Sequence, residues 1–307
     1  MNSTTPPGFP YNWCNCGEDK YGIWIQIKIL TSETIMRWMK PGEFVMGSPD
    51  YELHRYDHET EHEVSLTRGF WISDTACIQE TWQNVMNSNP SKNIGPLKPV
   101  ENTSWNDCIK FLKKLNELSD KILFSLPTES QWEYACRAGT QTPFSFGITI
   151  SSDQVNYNGE YPYYGQEKQL NRKQTIETKS LPANPWGLYE MHGNVWEWCS
   201  DWFSKLDSKG TVNPSGPSSG IYKTLRGGSA FSGAADCRSA ARIRFHPSNR
   251  YNRHGFRFIG MVRDDEKKDT YAAQEQIKLP QDEEELTKVS ETREIIMKKN
   301  EIDAEIE

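Results

Sequence analysis

The 307-residue chain contains no apolar run approaching the roughly 18 residues that a membrane-spanning helix requires. Its opening, MNSTTPPGFPYNW, has neither a basic start nor an apolar signal stretch, so the expectation is a soluble, cytoplasmic protein. A disulfide framework is missing too. The seven cysteines, Cys14, Cys16, Cys77, Cys108, Cys136, Cys199 and Cys237, are an odd set scattered over a long chain. Cys14-Asn15-Cys16 lacks the two-residue spacer common in zinc knuckles, and no second pair follows it. Nor is there an excess of positive charge. The formal net charge is −7, and Asp264 to Glu307 alone holds 15 acidic and 7 basic residues, or −8, leaving +1 for Met1 to Arg263. No basic surface tracks phosphates, which excludes nucleic acid as the expected partner.

What is present suits a large aromatic core, with 11 Trp, 13 Tyr and 12 Phe. Ile23, Ile25, Ile27 and Ile29 alternate with Trp24, Gln26 and Lys28, the two-residue period of a half-buried strand. A turn at Thr31-Ser32 would return it through Ile35 to Trp38, and Pro41-Gly42 leads into a further strand, giving a β-meander. Three helices follow. Ile78, Trp82, Val85 and Met86 have helical spacing, with Pro90 as the stop. Ser104 and Asp107 form a capping box ahead of the stripe Cys108, Phe111, Leu112, Leu115 and Leu118. Thr128 and Gln131 form a second box, with Trp132, Ala135 and Cys136 facing inward up to Gly139. Between Thr140 and Pro185, Tyr, Gly, Pro and Asn without periodicity read as long ordered loops. After Arg263 the composition turns to Lys and Glu, which reads as a disordered tail or a helix that docks on a partner.

Two motifs suggest metals. His58-Glu59-Thr60-Glu61-His62 matches the metalloprotease pattern H-E-x-x-H, but that pattern needs an apolar-backed helix. Here the residues before it are polar, and His62-Glu63-Val64-Ser65-Leu66 alternates like a strand, so the match reads as coincidence in a solvated loop. Further on, Asn184 to Trp198 packs tryptophans, glycines, an amide and a carboxylate into a tight turn entering a buried strand. Asn194 and Glu197 are candidate hard oxygen ligands for calcium, the alternative being a hydrogen-bonded turn. The stretch from Leu225 to Phe258 opens on Arg226-Gly227-Gly228-Ser229, closes on Gly255-Phe256-Arg257-Phe258, and has neither period between. It is expected on the surface as irregular loops pinned at both ends by glycine turns.

Gly42-Glu43-Phe44-Val45-Met46-Gly47-Ser48, Leu126-Pro127-Thr128-Glu129-Ser130-Gln131-Trp132-Glu133-Tyr134-Ala135, Gly187 through Trp198, Arg226-Gly227-Gly228-Ser229 and Gly255-Phe256-Arg257 follow one another in the order of the formylglycine-generating-enzyme, or sulfatase-modifying-factor, family. The chain resembles that family from about Arg37 to Phe258. The resemblance implies an α+β, C-type-lectin-like fold with extensive irregular loops. It also implies calcium as a structural cofactor, with Asn194 and Glu197 at one site and Asn156 at a second. Members that oxidise a sulfatase cysteine use two cysteines five positions apart after the GGS turn. The matching positions here are Ser232 and Cys237. A hydroxyl does not replace a thiolate for copper(I), so copper is not expected.

The last loops also lack residue types. From Ser229 to Phe258 there is no Lys, Glu, Gln, Met or Trp, although these five types make up 79 of the 307 residues. With independent positions such a gap arises roughly once in ten thousand windows. Codons ending in a pyrimidine cannot encode these five. The pattern resembles the variable region of diversity-generating-retroelement proteins, where adenines of Asn-type codons are randomised within a constant frame. The frame here would be Gly227, Gly228, Ser229, Cys237, Arg238 and Ser239, then Arg242, Pro247, Arg250, Gly255, Phe256 and Arg257. The exchangeable, ligand-binding positions would be Phe231, Ser232, Gly233, Asp236, Ala241, Ile243 and Arg244, then Phe245, His246, Ser248, Tyr251, Asn252 and Arg253.

The expectation is therefore a non-enzymatic protein that displays a diversified surface to a macromolecular ligand, expected to be a protein. The alternative is a metal-dependent oxidoreductase of the formylglycine-generating class that uses Cys237 with some other ligand. Residues 1–40 are expected to form a β extension packed on the domain, 41–263 the domain with its variable region at 229–258, and 264–307 the acidic tail, either disordered or a helix that docks a partner.

Overall fold

The computed structural model describes residues 5–206 and 208–263. The tail assigned to 264–307 lies outside them. The chain opens with β1 (Asn15–Asp19), β2 (Gly22–Ile29) and β3 (Ser32–Met39) as an antiparallel meander, with Ile25 opposite Met36 in β3 and Cys16 in β1. The alternation in β2 sets its face: Ile23, Ile25, Ile27 and Ile29 are all buried. The hairpin turns at Leu30 and Thr31, Leu30 adopting a left-handed φ of 55°. β4 (Gly42–Met46) pairs with β5 (His62–Leu66), and β6 (Phe70–Ser73) returns to β3.

Helix α1 (Gln79–Met86) ends at the last residue of the expected stripe, where Asn87 takes the left-handed C-cap conformation at φ 56° ahead of Pro90. Both capping boxes form. Ser104 and Asp107 cap α2 (Trp105–Glu117), which buries Cys108, Phe111, Leu112 and Leu115, while Leu118 lies exposed at its C-cap. Thr128 and Gln131 cap α3 (Glu129–Arg137), which lies wholly inside the protein apart from Gln131. β7 (Ile122–Ser125) separates these two helices.

The second half supplies β8 (Trp196–Trp202), β9 (Thr211–Val212), β10 (Lys223–Arg226), β11 (Arg242–Phe245), β12 (His254–Gly255) and β13 (Ile259–Val262). Three sheets result, in the orders β1-β2-β3-β6-β13-β7, β11-β10-β8-β12 and β4-β5-β9. The first joins the N-terminal meander to the last strand, so β1, β2 and β3 extend the main sheet. One compact unit runs to Val262. Its largest core gathers the β2 isoleucines, the α1 and α2 stripes, Trp198, Phe256 and Phe258. No helix among the described residues is long and apolar enough to cross a membrane.

Candidate functional site

The 229–258 region is held by four fully buried guanidiniums, each met by a carboxylate from elsewhere in the chain. Arg226, at the end of β10, pairs with Glu133 of α3 and donates to the Ala241 carbonyl. Arg238 donates to both oxygens of Glu59, at 2.8 and 2.9 Å, and to Glu52 at 2.6 Å. Arg242 forks onto Glu129, with Nε to Oε1 at 2.6 Å, and donates to the carbonyls of His58 and Ser204. Arg257 forks onto Glu197, Nε to Oε2 at 2.7 Å and Nη2 to Oε1 at 2.8 Å. Burial works against the charge on Arg238, but Glu59 and Glu52 outweigh it and raise its pKa.

Glycine fixes the turn that starts the region. Gly228 has φ 77°, and a Cβ there would lie 2.5 Å from Cys237 Sγ. A short 3₁₀ turn over Ala234–Cys237 follows. Its last carbonyl accepts from His192 Nδ1 at 2.7 Å, while His192 Nε2 accepts from the Ser145 amide, so the imidazole is neutral. Burial lowers its pKa to about 4. The frame positions follow this pattern: Gly227, Gly228, Ser229, Cys237, Arg238 and Ser239 are buried, as are Arg242, Gly255, Phe256 and Arg257. Pro247 is half-buried. Arg250 is exposed but fixed, forking onto Asp107 at the start of α2 at 2.7 and 2.8 Å.

The exchangeable positions fall largely on the other side of this division. Phe231, Arg244, Ser248, Tyr251 and Asn252 are exposed. Gly233, Asp236, Ile243, Phe245, His246 and Arg253 are half-buried at the same surface. Two assignments need correction. Ala241 is only 1% exposed, because its carbonyl receives Arg226, which makes it part of the frame. Ser232 is 8% exposed: its hydroxyl meets Ser229 Oγ at 3.1 Å and its carbonyl accepts from the Asn158 amide.

The outer residues are joined by contacts that periodicity in the sequence did not reveal. The Arg244 guanidinium lies 4.9 Å from the Phe203 ring centre and 5.7 Å from that of Tyr222. Phe203 meets His58 edge-on, His58 stacks on Tyr56, and the Tyr56 hydroxyl reaches Asp236 at 3.4 Å. Asp236 feels the charge of Arg253, which lies over Tyr251, and Tyr251 packs on Phe245. Tyr161 borders Gly233. Tyr56, Tyr161, Phe203 and Tyr222 thus extend the surface from loops that show only an abundance of tyrosine and phenylalanine in the sequence.

The candidate metal residues are engaged otherwise. Glu197 accepts three N–H groups, two from Arg257 and one from Trp132 Nε1 at 2.7 Å. Asn194 Oδ1 accepts from Asn156 Nδ2 and the Ile176 amide, both at 3.0 Å. Asn156 Oδ1 alone is a buried oxygen without a partner. Asn194 and Glu197 are thus engaged in hydrogen bonds within the turn, and Asn156 supplies the one oxygen of the three residues left open to a ligand. Among the described residues no group of three or more His, Cys, Asp and Glu side chains could hold a metal. The copper pair fits no better: Cys237 is fully buried, and burial, then Asp236, raise its thiol pKa, against the thiolate that copper(I) requires. His58 and His62 share no helix, since His62 begins β5. The loop before it is not solvated throughout, because Glu52 and Glu59 are buried beneath Arg238.

Residues 28–262 match the model of the sulfatase-modifying factor enzyme 1-like domain. The formylglycine-generating enzyme of Bos taurus is 34% identical over 171 residues, covering 53% of this chain and 44% of that protein, so the chain spans less than half the length of that relative. Among solved structures, Treponema denticola variable protein 1 superposes with a TM-score of 0.64 at 27% identity, over 76% of this chain and 97% of that one. PvdO from Pseudomonas aeruginosa shares the fold, with a TM-score of 0.65 at 24% identity over 76% and 97% of the two chains. On the strength of the model match across most of its length, the chain is a member of the sulfatase-modifying factor enzyme 1-like domain family, with its α+β, C-type-lectin-like fold.

Proposed function

We propose that this protein is a non-enzymatic binder whose C-type-lectin-like scaffold presents the side chains between Phe231 and Arg253 to a protein ligand. The observation that carries this reading is the division of one segment into two sets. Ten of the twelve frame positions are buried, and eleven of the thirteen exchangeable positions reach the surface at least in part. A frame held by carboxylate-paired arginines keeps its backbone while outward side chains change, which is what a variable paratope requires. The likeness to a Treponema denticola protein titled a variable protein supports the same reading.

Sequencing many clonal isolates across the codons for Ser229 to Phe258 tests it. Substitutions concentrated at adenines of the exchangeable codons are expected, and variation spread evenly over frame and exchangeable codons would overturn the proposal. A second reading, an oxidoreductase of the formylglycine-generating class, draws on the names of the sequence relatives. Anaerobic copper(I) titration separates the two. Tight stoichiometric binding that Cys237→Ala abolishes would favour the oxidoreductase, and its absence is expected.

A further inference from the structure

Seven arginines lie between Leu225 and Phe258, and they divide by partner. Arg226, Arg238, Arg242, Arg250 and Arg257 each form an ion pair with a carboxylate of this chain. Arg244 and Arg253, both at exchangeable positions, have no carboxylate within salt-bridge distance among the described residues. Both guanidiniums lie over aromatic rings, Arg244 over Phe203 and Tyr222, Arg253 over Tyr251. Stacking of this kind orients a guanidinium and leaves its N–H edge available to a planar acceptor.

We infer that the ligand meets this face with carboxylates: it is a protein segment bearing Asp or Glu next to apolar side chains, received by Arg244 and Arg253 and flanked by Phe231 and Tyr251. The inference rests on the binding reading above and names the chemistry of its partner. Arginine offers a forked donor matching a carboxylate at two points, and aromatic and arginine side chains are the residues that most often anchor interfaces. Three features of the fold agree with this choice. Arg253 is half-buried with its guanidinium 5.5 Å from the ring centre of the exposed Tyr251, which places the two side chains at one surface. Asp236 forms no ion pair with Arg253 and is already approached by the Tyr56 hydroxyl at 3.4 Å. The domain through Arg263 carries a formal charge of only +1, without the basic stripe a nucleic-acid ligand would call for.

The test is selection of a random peptide display library on the full chain, with a quadruple variant carrying Phe231→Ala, Arg244→Ala, Tyr251→Ala and Arg253→Ala as the comparison and a single-stranded oligonucleotide as a second probe. Peptides enriched in Asp and Glu beside aromatic or aliphatic residues are expected. Their affinity should fall at least tenfold on Glu→Gln exchange in the peptide, and equally on Arg244→Ala with Arg253→Ala. Reversal of both charges, Arg244→Glu with Arg253→Glu, should turn the selected set towards Lys and Arg while the melting temperature stays within a few degrees. Enrichment of neutral or basic peptides that still depends on Phe231 and Tyr251 would overturn the carboxylate inference and leave the binding reading standing. Tighter binding of the oligonucleotide than of any peptide would overturn it as well. No enrichment over the quadruple variant would overturn both.

Discussion

Arg257 and Glu197 form a forked ion pair with neither side chain more than 1% exposed, joining a residue two positions before the last strand to the second residue of β8. The same guanidinium donates to the carbonyls of Ser73 and Tyr189, so four segments meet at one charge. Removing one partner strands the other in the interior. Arg257→Met or Glu197→Leu alone should cost about 3–5 kcal/mol of unfolding free energy in urea denaturation, and the double substitution should cost less than either single one. Additive losses would show that the pair is not coupled as the geometry requires.

Substitutions in the 229–258 segment should separate by burial rather than by residue type. Arg244→Ser, Ser248→Tyr and Asn252→Tyr are each expected to change stability by less than about 0.5 kcal/mol. Ala241→Asn places a polar amide in a closed site beside the Arg226 contact and should cost about 1–3 kcal/mol. Thermal unfolding of the four single variants measures this directly.

Glu59 anchors Arg238, accepting from it with both carboxylate oxygens. Glu59→Gln should destabilise the protein by about 3 kcal/mol or more, because two charge-assisted hydrogen bonds to a buried guanidinium weaken together. A chelator should leave the melting temperature of the native protein unchanged. A drop in melting temperature on adding the chelator would restore the metal reading of His58 and His62.

The buried histidine under the 3₁₀ turn sets one part of the pH dependence. His192 is held neutral with its pKa lowered to about 4, chiefly by burial, whereas the unfolded chain protonates near the usual ~6.5. Between those values the unfolded state binds the proton that the folded state refuses. The stabilising effect is therefore complete above about pH 6.5 and is lost as pH falls towards 4, by about 3 kcal/mol in all. Urea denaturation of the native protein and of His192→Gln at pH 7 and pH 4.5 should show the native protein losing more; parallel losses would contradict it.

Glu190 acts in the opposite sense. Burial raises its pKa to about 8, and its Oε2 has no partner. The folded protein keeps this proton while the unfolded chain releases it near the ordinary carboxylate value, so its stabilising effect declines as pH rises from about 4.5 to 8. Relative to Glu190→Gln, the native protein should lose stability between pH 5 and pH 8, and a difference that stays constant over that range would place the pKa elsewhere.

Elements governed by neighbours along the chain were legible. The β2 isoleucines alternate, and the Ser104–Asp107 and Thr128–Gln131 boxes lie at the ends of α2 and α3, because period and capping depend on residues within a turn or two. The exposed set in the last loops was legible for another reason, the absence of five residue types. Ser232 and Ala241 were misplaced because composition carries no information on burial: each meets a residue well separated from it along the chain, Asn158 in one case and Arg226 in the other. Glu59 was misjudged for the same reason, its loop being polar in sequence yet folded over Arg238.

The sequence by itself determined the family and the order of strands and helices, since these follow from local periods, caps and ordered motifs. Only the tertiary structure decided which arginines pair with carboxylates of the chain, and that Glu197 meets Arg257 while Asn194 meets Asn156. Ion pairs across tens or hundreds of residues depend on where the backbone brings charges together, and Arg238 with Glu59, 179 positions apart, is joined by nothing that spacing along the chain reveals.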